Sequence, residues 1–252
     1  MHNKLTKELA VCGYNAARAV GEHHPETINR LFLREDRMKD FSRVCKGLAE
    51  RKRPYKICDE EELERICKSN HHQGVVAMIE EPEILPAAPE DIDAWAAGKT
   101  GLVLHSVGND LNLGAIVRAA AFFEIAFIVI NEEDGEAHLS TAAYRAAEGG
   151  MEHVSFRRVR STANFLRALS REVVTVGAEV RARLRLRDLG GIVRDARSGA
   201  GVAVVLGNEE TGLPGDVRNN CRALVRIPGS GHIESLNVAQ AAALFLHELF
   251  ER

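Results

Sequence analysis

The residues of this sequence that could do chemistry lie in three short polar loops, each directly after an apolar run. The first loop follows Val107 and reads G-N-D-L-N-L-G-A-I-V-R, which includes Asn112 and Arg118. The second reads G-N-E-E-T-G-L-P after Leu206, and the third reads P-G-S-G-H-I-E-S-L-N after Ile227. Amide, hydroxyl, carboxylate and guanidinium groups bind polar or anionic ligands through hydrogen bonds and charge. The pattern therefore predicts a site that binds and orients a polar substrate.

The sequence lacks the motifs of the common nucleotide, metal and nucleophile sites. No G-x-G-x-x-G follows the first strand of the regular region, and no G-x-x-x-x-G-K-[ST] occurs, which argues against a dinucleotide-dependent dehydrogenase. No G-x-S-x-G elbow and no metal-ligand spacing occur either. The five cysteines are an odd number without C-x-x-C spacing, so we expect reduced thiols in a cytoplasmic protein and no metal site.

Arg118 is the only charged residue between Asp110 and Glu124, within the apolar stretch A-I-V-R-A-A-A-F-F. An arginine in such a helix either extends its guanidinium to water or faces an anion or a partner subunit, and the pattern leaves both open. Helix-start preferences predict Asn112 as the N-cap of this helix and Ser235 as the N-cap of the last one.

Alternating strand and helix patterns from Gly101 onward predict an α/β domain with a parallel sheet over residues 101–252. The three polar loops would then lie beyond the carboxyl ends of strands, where open parallel sheets bind ligands. The strands are predicted at Leu102–Val107, Ala126–Ile130, His153–Phe156, Val173–Val176, Val202–Leu206 and Ala223–Ile227.

Residues 1–80 are predicted to form a separate small α/β domain, with strands at Ile28–Leu33, Tyr55–Cys58 and Val75–Ile79. Residues 81–100 contain three prolines and five acidic residues. This composition is typical of a linker, with one helical turn expected around Trp95.

The net charge of −3 conceals two basic segments. Residues 1–56 contain thirteen Lys or Arg against seven Asp or Glu, and residues 157–197 contain eleven Arg against four acidic residues. Such segments fit a phosphate-rich partner or, equally, solvated helix faces. In the second segment Arg181, Arg183, Arg185 and Arg187 alternate with other residues, which indicates either a basic sheet edge or a solvated loop. No apolar run is long enough for a membrane span or a signal peptide, so we expect no membrane partner.

Taken together, the three loops resemble the motifs of the SpoU/TrmH family of RNA 2′-O-ribose methyltransferases. The first motif, N-x-G-x-x-x-R, is N-L-G-A-I-V-R at 112–118, and the second is L-G-N-E-E-T-G-L at 206–213. The third comprises Ile227–Pro228, Gly231 and S-L-N-V at 235–238. Residues 1–80, with H-Q-G-V-V-A at 72–77, are similar to the family's small RNA-binding domain, which is like ribosomal protein L30.

The resemblance implies a knotted SPOUT-type parallel-sheet domain with a deep trefoil knot, a small L30e-like N-terminal domain, and a homodimer whose active site is shared between the subunits. It implies S-adenosylmethionine as the cofactor and no metal. The implied cofactor-binding residues are Leu206, Gly207, Asn208, Ile227, Gly231 and Leu236. The implied catalytic residues are Arg118, Asn112, Glu209, Ser235 and Asn237.

The implied activity is S-adenosylmethionine-dependent 2′-O-ribose methylation of a nucleotide in structured RNA, either rRNA or tRNA. Arg118, described in the family as a base, is here expected to hold an RNA phosphate and stabilise the developing alkoxide, because a guanidinium scarcely deprotonates in proteins. The alternative is a non-catalytic RNA-binding paralogue that dimerises through the knot.

Overall fold

The computed structural model of the protein describes residues 2–3, 7–132, 138–169, 172–196 and 199–251. Its contacts divide the chain into two compact units. The first comprises Met1–Glu83, Leu113–Arg118 and His138–His153, and the second comprises Ile84–Asn112, Ala119–Ala137 and Val154–Arg252. The helix that carries Asn112 and Arg118 contributes residues to both units.

The first unit is built on a five-stranded sheet in the order β1-β2-β5-β3-β4, in which β3 and β4 are the parallel pair. The strands are β1 (His2–Asn3), β2 (Glu8–Cys12), β3 (Ile28–Leu33), β4 (Tyr55–Ile57) and β5 (Val75–Glu80). The three strands predicted in this region are present within a residue at each end. β2 was not predicted. All five of its residues are buried, so its sequence lacks the alternation of apolar and polar residues that marks a half-exposed strand.

The helices of the first unit are α1 (Tyr14–His23), α2 (Ser42–Glu50), α3 (Glu60–Cys67) and α6 (Thr141–Ala147). The Asp59 side chain caps α3 by accepting from the Glu62 amide at 2.8 Å, and Lys68 ends it in the left-handed conformation. β2 packs against α1, α3 and α6. The core of the unit therefore lies on both faces of its sheet.

The second unit contains an eight-stranded, wholly parallel sheet in the order β11-β13-β10-β12-β7-β8-β9-β6. This confirms the predicted parallel α/β architecture. Its strands are β6 (Leu85–Pro86), β7 (Thr100–Leu104), β8 (Phe127–Asn131), β9 (Ser155–Val159), β10 (Val173–Ala178), β11 (Leu184–Arg185), β12 (Gly201–Leu206) and β13 (Ala223–Arg226). β7 ends three residues before the predicted Val107, because Ser106 adopts a positive φ of 55° that an extended strand excludes.

Helices α4 (Pro89–Ala96), α5 (Asp110–Phe122), α7 (Thr162–Leu169), α8 (Leu189–Ala196), α9 (Gly215–Asn219) and α10 (Val238–Phe250) complete the chain. α4 lies in the segment expected to be a linker with one helical turn, and the segment is more structured than that. Trp95 is buried, its indole Nε1 donates to the Val202 carbonyl at 2.8 Å, and its ring stacks on Phe127 at 5.7 Å. These contacts make α4 part of the core of the second unit.

All five cysteines are free, as predicted. Among the described residues, none of the helices combines the length and apolar character that a membrane crossing requires.

Candidate active site

The three polar loops leave the carboxyl ends of β7, β12 and β13. β7 and β12 are paired neighbours at the point where the strand order reverses, since β8 and β9 follow on one side and β10 and β13 on the other. Ligands of open α/β sheets bind at such a switch point. The topology therefore places the loops where the sequence predicted them.

A cavity of about 1060 Å³ lies beside these strand ends, within the second unit. It is bounded by the loops after β12 and β13, the turn after β10 and the first turns of α10. Eight of the predicted site residues line it: Leu206, Gly207, Asn208, Glu209, Ile227, Gly231, Ser235 and Leu236. Asn112, Arg118 and Asn237 are not among its lining residues.

The loop after β12 is braced by the side chain of Asn208. Its Nδ2 donates to the Ser106 carbonyl at 2.9 Å. Its Oδ1 accepts from the amides of Glu210 and Thr211, at 2.9 and 3.1 Å, and from the Thr211 hydroxyl at 3.3 Å. The Gly212 amide closes the turn onto the Asn208 carbonyl at 2.9 Å. These bonds tie the loop after β12 to the loop after β7 and fix the turn that carries Glu209.

Asn112 connects two of the loops through a chain of side-chain hydrogen bonds. Its Nδ2 donates to Glu209 Oε1 at 2.5 Å, and its Oδ1 accepts from Asn237 Nδ2 at 3.0 Å. Asn237 Oδ1 accepts in turn from the Ala239 amide at 2.9 Å, at the start of α10. Three of the predicted catalytic residues therefore form one hydrogen-bonded group.

The two N-cap predictions were wrong. Asn109, not Asn112, caps α5, since its Oδ1 accepts from the amides of Leu111 and Asn112 at 2.8 and 3.3 Å. Asn237, not Ser235, caps α10. Asn109 and Asn237 occupy the two N-cap positions instead. Asn112 is then free to bridge the loops, and Ser235 lies on the cavity wall.

Arg118 lies apart from the hydrogen-bonded group. It follows Asn112 by six residues in α5, so the two side chains leave the helix on different faces, about 120° apart at 100° per residue. Arg118 is exposed, and within the described part of the chain it forms no ion pair. Leu111 and Phe122 share its face, at spacings of seven and four residues, and are 49% and 77% exposed. We call Leu111, Arg118 and Phe122 the α5 stripe.

Charges of both signs border the cavity. Glu179 and Arg218 form an ion pair at 3.3 Å. Glu209, Glu210 and Glu234 contribute carboxylates, and Arg181 and Arg226 contribute guanidiniums. Carboxylates favour a cationic ligand and guanidiniums favour a phosphate. Over the described ranges, no group of three or more His, Cys, Asp or Glu residues is arranged to hold a metal ion.

Sequence reasoning missed Ser106 and Asn109, which shape the first loop. The N-D-L triplet at 109–111 was a usable signal, because an asparagine one residue before a helix is a common cap. Nothing in the sequence predicts the positive φ of Ser106, because serine rarely adopts the conformation that glycine favours.

Comparison with known proteins identifies the family of both parts of the chain. Residues 99–247 match the SpoU rRNA Methylase family, and residues 10–85 match the family described as RNA 2'-O ribose methyltransferase substrate binding. The chain is 31% identical over 249 residues to the 23S rRNA (guanosine-2'-O-)-methyltransferase RlmB of Bordetella pertussis, covering 97% of each chain. It is also 31% identical over 248 residues to RlmB of Acinetobacter baylyi, covering 94% of each.

Solved structures show the same fold. The SpoU methyltransferase AviRb from Streptomyces viridochromogenes, in complex with AdoMet, matches 98% of this chain and 91% of its own with a TM-score of 0.73 at 21% identity. An AdoMet-bound rRNA methyltransferase from Sinorhizobium meliloti matches 97% of this chain and 87% of its own with a TM-score of 0.75 at 23% identity. With the family match across more than half of its length, the chain belongs to the SpoU rRNA methylase family.

Proposed function

We propose that this protein transfers the methyl group of S-adenosylmethionine to the 2′-hydroxyl of a nucleotide in structured RNA, with a guanosine of 23S rRNA as the preferred target. The observation that carries the proposal is the cavity beside the Glu209–Asn112–Asn237 group, at the switch point of a SpoU-family sheet. The RlmB relatives, matched over nearly their whole length, support 23S rRNA over tRNA. We propose a cytoplasmic location, which the free thiols support.

The cavity lining suits S-adenosylmethionine. Leu206, Ile227 and Leu236 offer aliphatic surface for a flat base, and the carboxylates at the rim favour the cationic groups of the cofactor. The loop after β13 offers backbone amides at Gly229, Ser230 and Gly231, which donate no hydrogen bond within the described part of the chain. When bound, S-adenosylmethionine supplies an electrophilic methyl group, so the reaction needs no metal.

Side chains of this protein orient the substrate and stabilise the charge that develops during the transfer. Asn112 and Glu209 orient the target ribose, and Ser235 and Asn237 fix the loop that follows β13. Arg118 binds the RNA phosphate and stabilises negative charge as the 2′-oxygen loses its proton to solvent. We assign Arg118 this electrostatic role because its guanidinium keeps its proton in proteins.

The α5 stripe supports a homodimer with a shared site. Phe122 is 77% exposed, Phe250 is 57% exposed, and the neighbouring Phe123 packs on Phe250 at 5.6 Å between ring centroids. Exposed apolar surface of this kind marks an interface. Arg118 lies within the same stripe and outside the cavity of its own chain. A second copy docked on the stripe supplies its own Arg118 to that cavity.

We propose a division of labour in which residues 1–80 bind the RNA and residues 101–252, with the trefoil knot of the family, hold the cofactor and the chemistry. The knot stays a prediction. The family matches at 10–85 and 99–247 support the division.

Mixing two inactive variants tests the shared site. Arg118→Ala and Asn112→Asp homodimers should each be nearly inactive. After subunit exchange, half of the dimers are mixed and each holds one complete site, so activity should recover to about a quarter of wild type. Recovery of no activity, with mixed dimers verified by mass, would place Arg118 in the site of its own chain. Near-full activity of the Arg118→Ala homodimer would contradict the phosphate-binding role.

A further inference from the structure

The arginine-rich segment after β10 has no part in the proposed methyl transfer, although Arg181 lines the cavity. The structure places it at the outer edge of the eight-stranded sheet, where β11 (Leu184–Arg185) is the last strand among the described residues and pairs there with β13 alone. Of the two interpretations left open by the sequence, a basic sheet edge is therefore the right one for Arg185.

Arg185 and Arg226 are register partners on β11 and β13. Paired residues on neighbouring strands leave the sheet on the same face, about 5 Å apart at the backbone. Neither arginine forms an ion pair within the described residues, and Arg183 forms none either. Like charges placed side by side on a sheet are destabilising. The arrangement is one that a bound anion would stabilise.

Several other arginines of the second unit are paired with acidic residues. Arg157 Nε lies 2.9 Å from Asp91, and Arg218 lies 3.3 Å from Glu179. Arg181 lies 3.8 Å from Glu234, but both side chains are mostly exposed, at 88% and 78%, so this pair contributes little. We call Arg181, Arg183, Arg185 and Arg226 the arginine strip.

Protection of the sheet edge does not account for the whole arginine strip. Charged side chains do keep exposed edge strands from pairing with other chains. Arg226, however, lies on β13, which has a neighbour on each side, and so needs no such protection. Arg181 and Arg226 also line the cavity. The arginine strip therefore begins at the mouth of the proposed active site and continues along the sheet edge.

We propose that the arginine strip binds the backbone phosphates of RNA next to the nucleotide that enters the cavity. This inference rests on the proposed function for its choice of RNA as the partner. Guanidinium groups form paired hydrogen bonds with phosphate oxygens and are weakly hydrated. A row of arginines with one weak, exposed ion pair, that of Arg181, therefore suits a nucleic-acid backbone. Contacts of this kind hold the strand in place without reading its sequence.

The test compares Arg183→Gln/Arg185→Gln with wild type, using in vitro transcribed 23S rRNA. Both residues lie outside the cavity lining, so the S-adenosylmethionine affinity and kcat should stay within about twofold of wild type. The KM for RNA should rise about tenfold, and the slope of log Kd against log salt should fall by about 1 to 2, because two phosphate contacts are lost. The Arg183→Lys/Arg185→Lys variant keeps both charges and should recover most of the affinity.

Arg167→Gln is the matched control, since it removes an exposed charge from α7 in the same unit. It should bind RNA with the wild-type slope. A double variant with wild-type KM and salt slope, and an unchanged melting temperature, would overturn the proposal. The salt slope is measured from binding alone. Absence of methyl transfer by the wild-type chain would therefore count against the proposed function, whereas absence of a change in slope would count against the arginine strip.

Discussion

Two loops border the same cavity, and they are built differently. In the loop after β12, the braced loop (207–214), Asn208 alone takes part in five hydrogen bonds. In the loop after β13, the open loop (228–236), only the His232 amide donates a hydrogen bond within the described residues, to the Ser230 hydroxyl at 3.4 Å. Ile233 in the open loop is 81% exposed. The comparison indicates that one wall of the proposed cofactor site is formed in advance, and we expect the other to be completed by the ligand.

The largest effect is expected where the two loops are joined, at Asn112. Asn112→Asp keeps the shape of the side chain but turns a carboxylate toward Glu209 in place of an amide donor. We expect single-turnover methyl transfer to fall about 100-fold, as when a positioned polar group is lost from an active site, while calorimetry shows little change in S-adenosylmethionine affinity.

Asn109→Asp is the control for this change, because the same isosteric replacement three residues earlier keeps the oxygen that caps α5. It should transfer methyl groups at the wild-type rate. A wild-type rate for Asn112→Asp would show that the bridge between the loops is not needed for catalysis.

The same glycine-to-alanine change should act differently in the two loops. A Cβ at Gly207 would lie 2.5 Å from the backbone of Gly212, whereas a Cβ at Gly229 would meet nothing within 4 Å. We expect Gly207→Ala to lower the free energy of unfolding by about 2 kcal/mol through overpacking and to weaken cofactor binding. Gly229→Ala should leave the unfolding free energy unchanged. Denaturant titration of both variants checks this, and equal losses would contradict the difference between the loops.

Removal of the Asn208 side chain should lower the free energy of unfolding slightly less than Gly207→Ala does. Asn208→Ala removes the four hydrogen bonds of the side chain, and we expect about 1 to 2 kcal/mol of lost stability with weaker S-adenosylmethionine binding. Thr211→Val, which loses only the hydroxyl bond to Asn208 at 3.3 Å, should be close to wild type by thermal denaturation and calorimetry. If the two variants lose the same stability, Asn208 does not brace the loop.

The smallest effect concerns dynamics rather than energy. In hydrogen exchange, the amides of Glu210, Thr211 and Gly212 should exchange slowly without ligand, because each has an acceptor. The open loop should exchange fast and become protected when S-adenosylmethionine binds. Protection of the open loop without ligand would mean that both walls are formed in advance.

The loops could be located from the sequence because each follows an apolar strand directly, and the parallel fold brings those strand ends to one edge. The residues of the braced loop and the open loop were predictable for the same reason, and most of them line the cavity. Asn112 was expected at a helix cap, but its bridge to Glu209 and Asn237 depends on loops more than 90 positions away in the chain. Local sequence patterns contain no information about such contacts.

Prediction of the fold from the sequence had similar limits. The parallel sheet and six of its eight strands followed from alternating strands and helices. The strand order could not be predicted, because order depends on packing between distant segments. The composition of residues 81–100 predicted a linker, but the indole of the buried Trp95 donates a hydrogen bond to the backbone of β12. β11 is only two residues long, too short for a periodic pattern to reveal.

The most direct test of the proposed function is methyl transfer from labelled S-adenosylmethionine to unmodified 23S rRNA, with unmodified tRNA in parallel and nuclease mapping of the product. We expect one labelled 2′-O-methyl nucleotide in 23S rRNA, and none with Arg118→Ala. A wild-type protein that binds S-adenosylmethionine but labels neither RNA would contradict the proposal and favour a non-catalytic RNA-binding role.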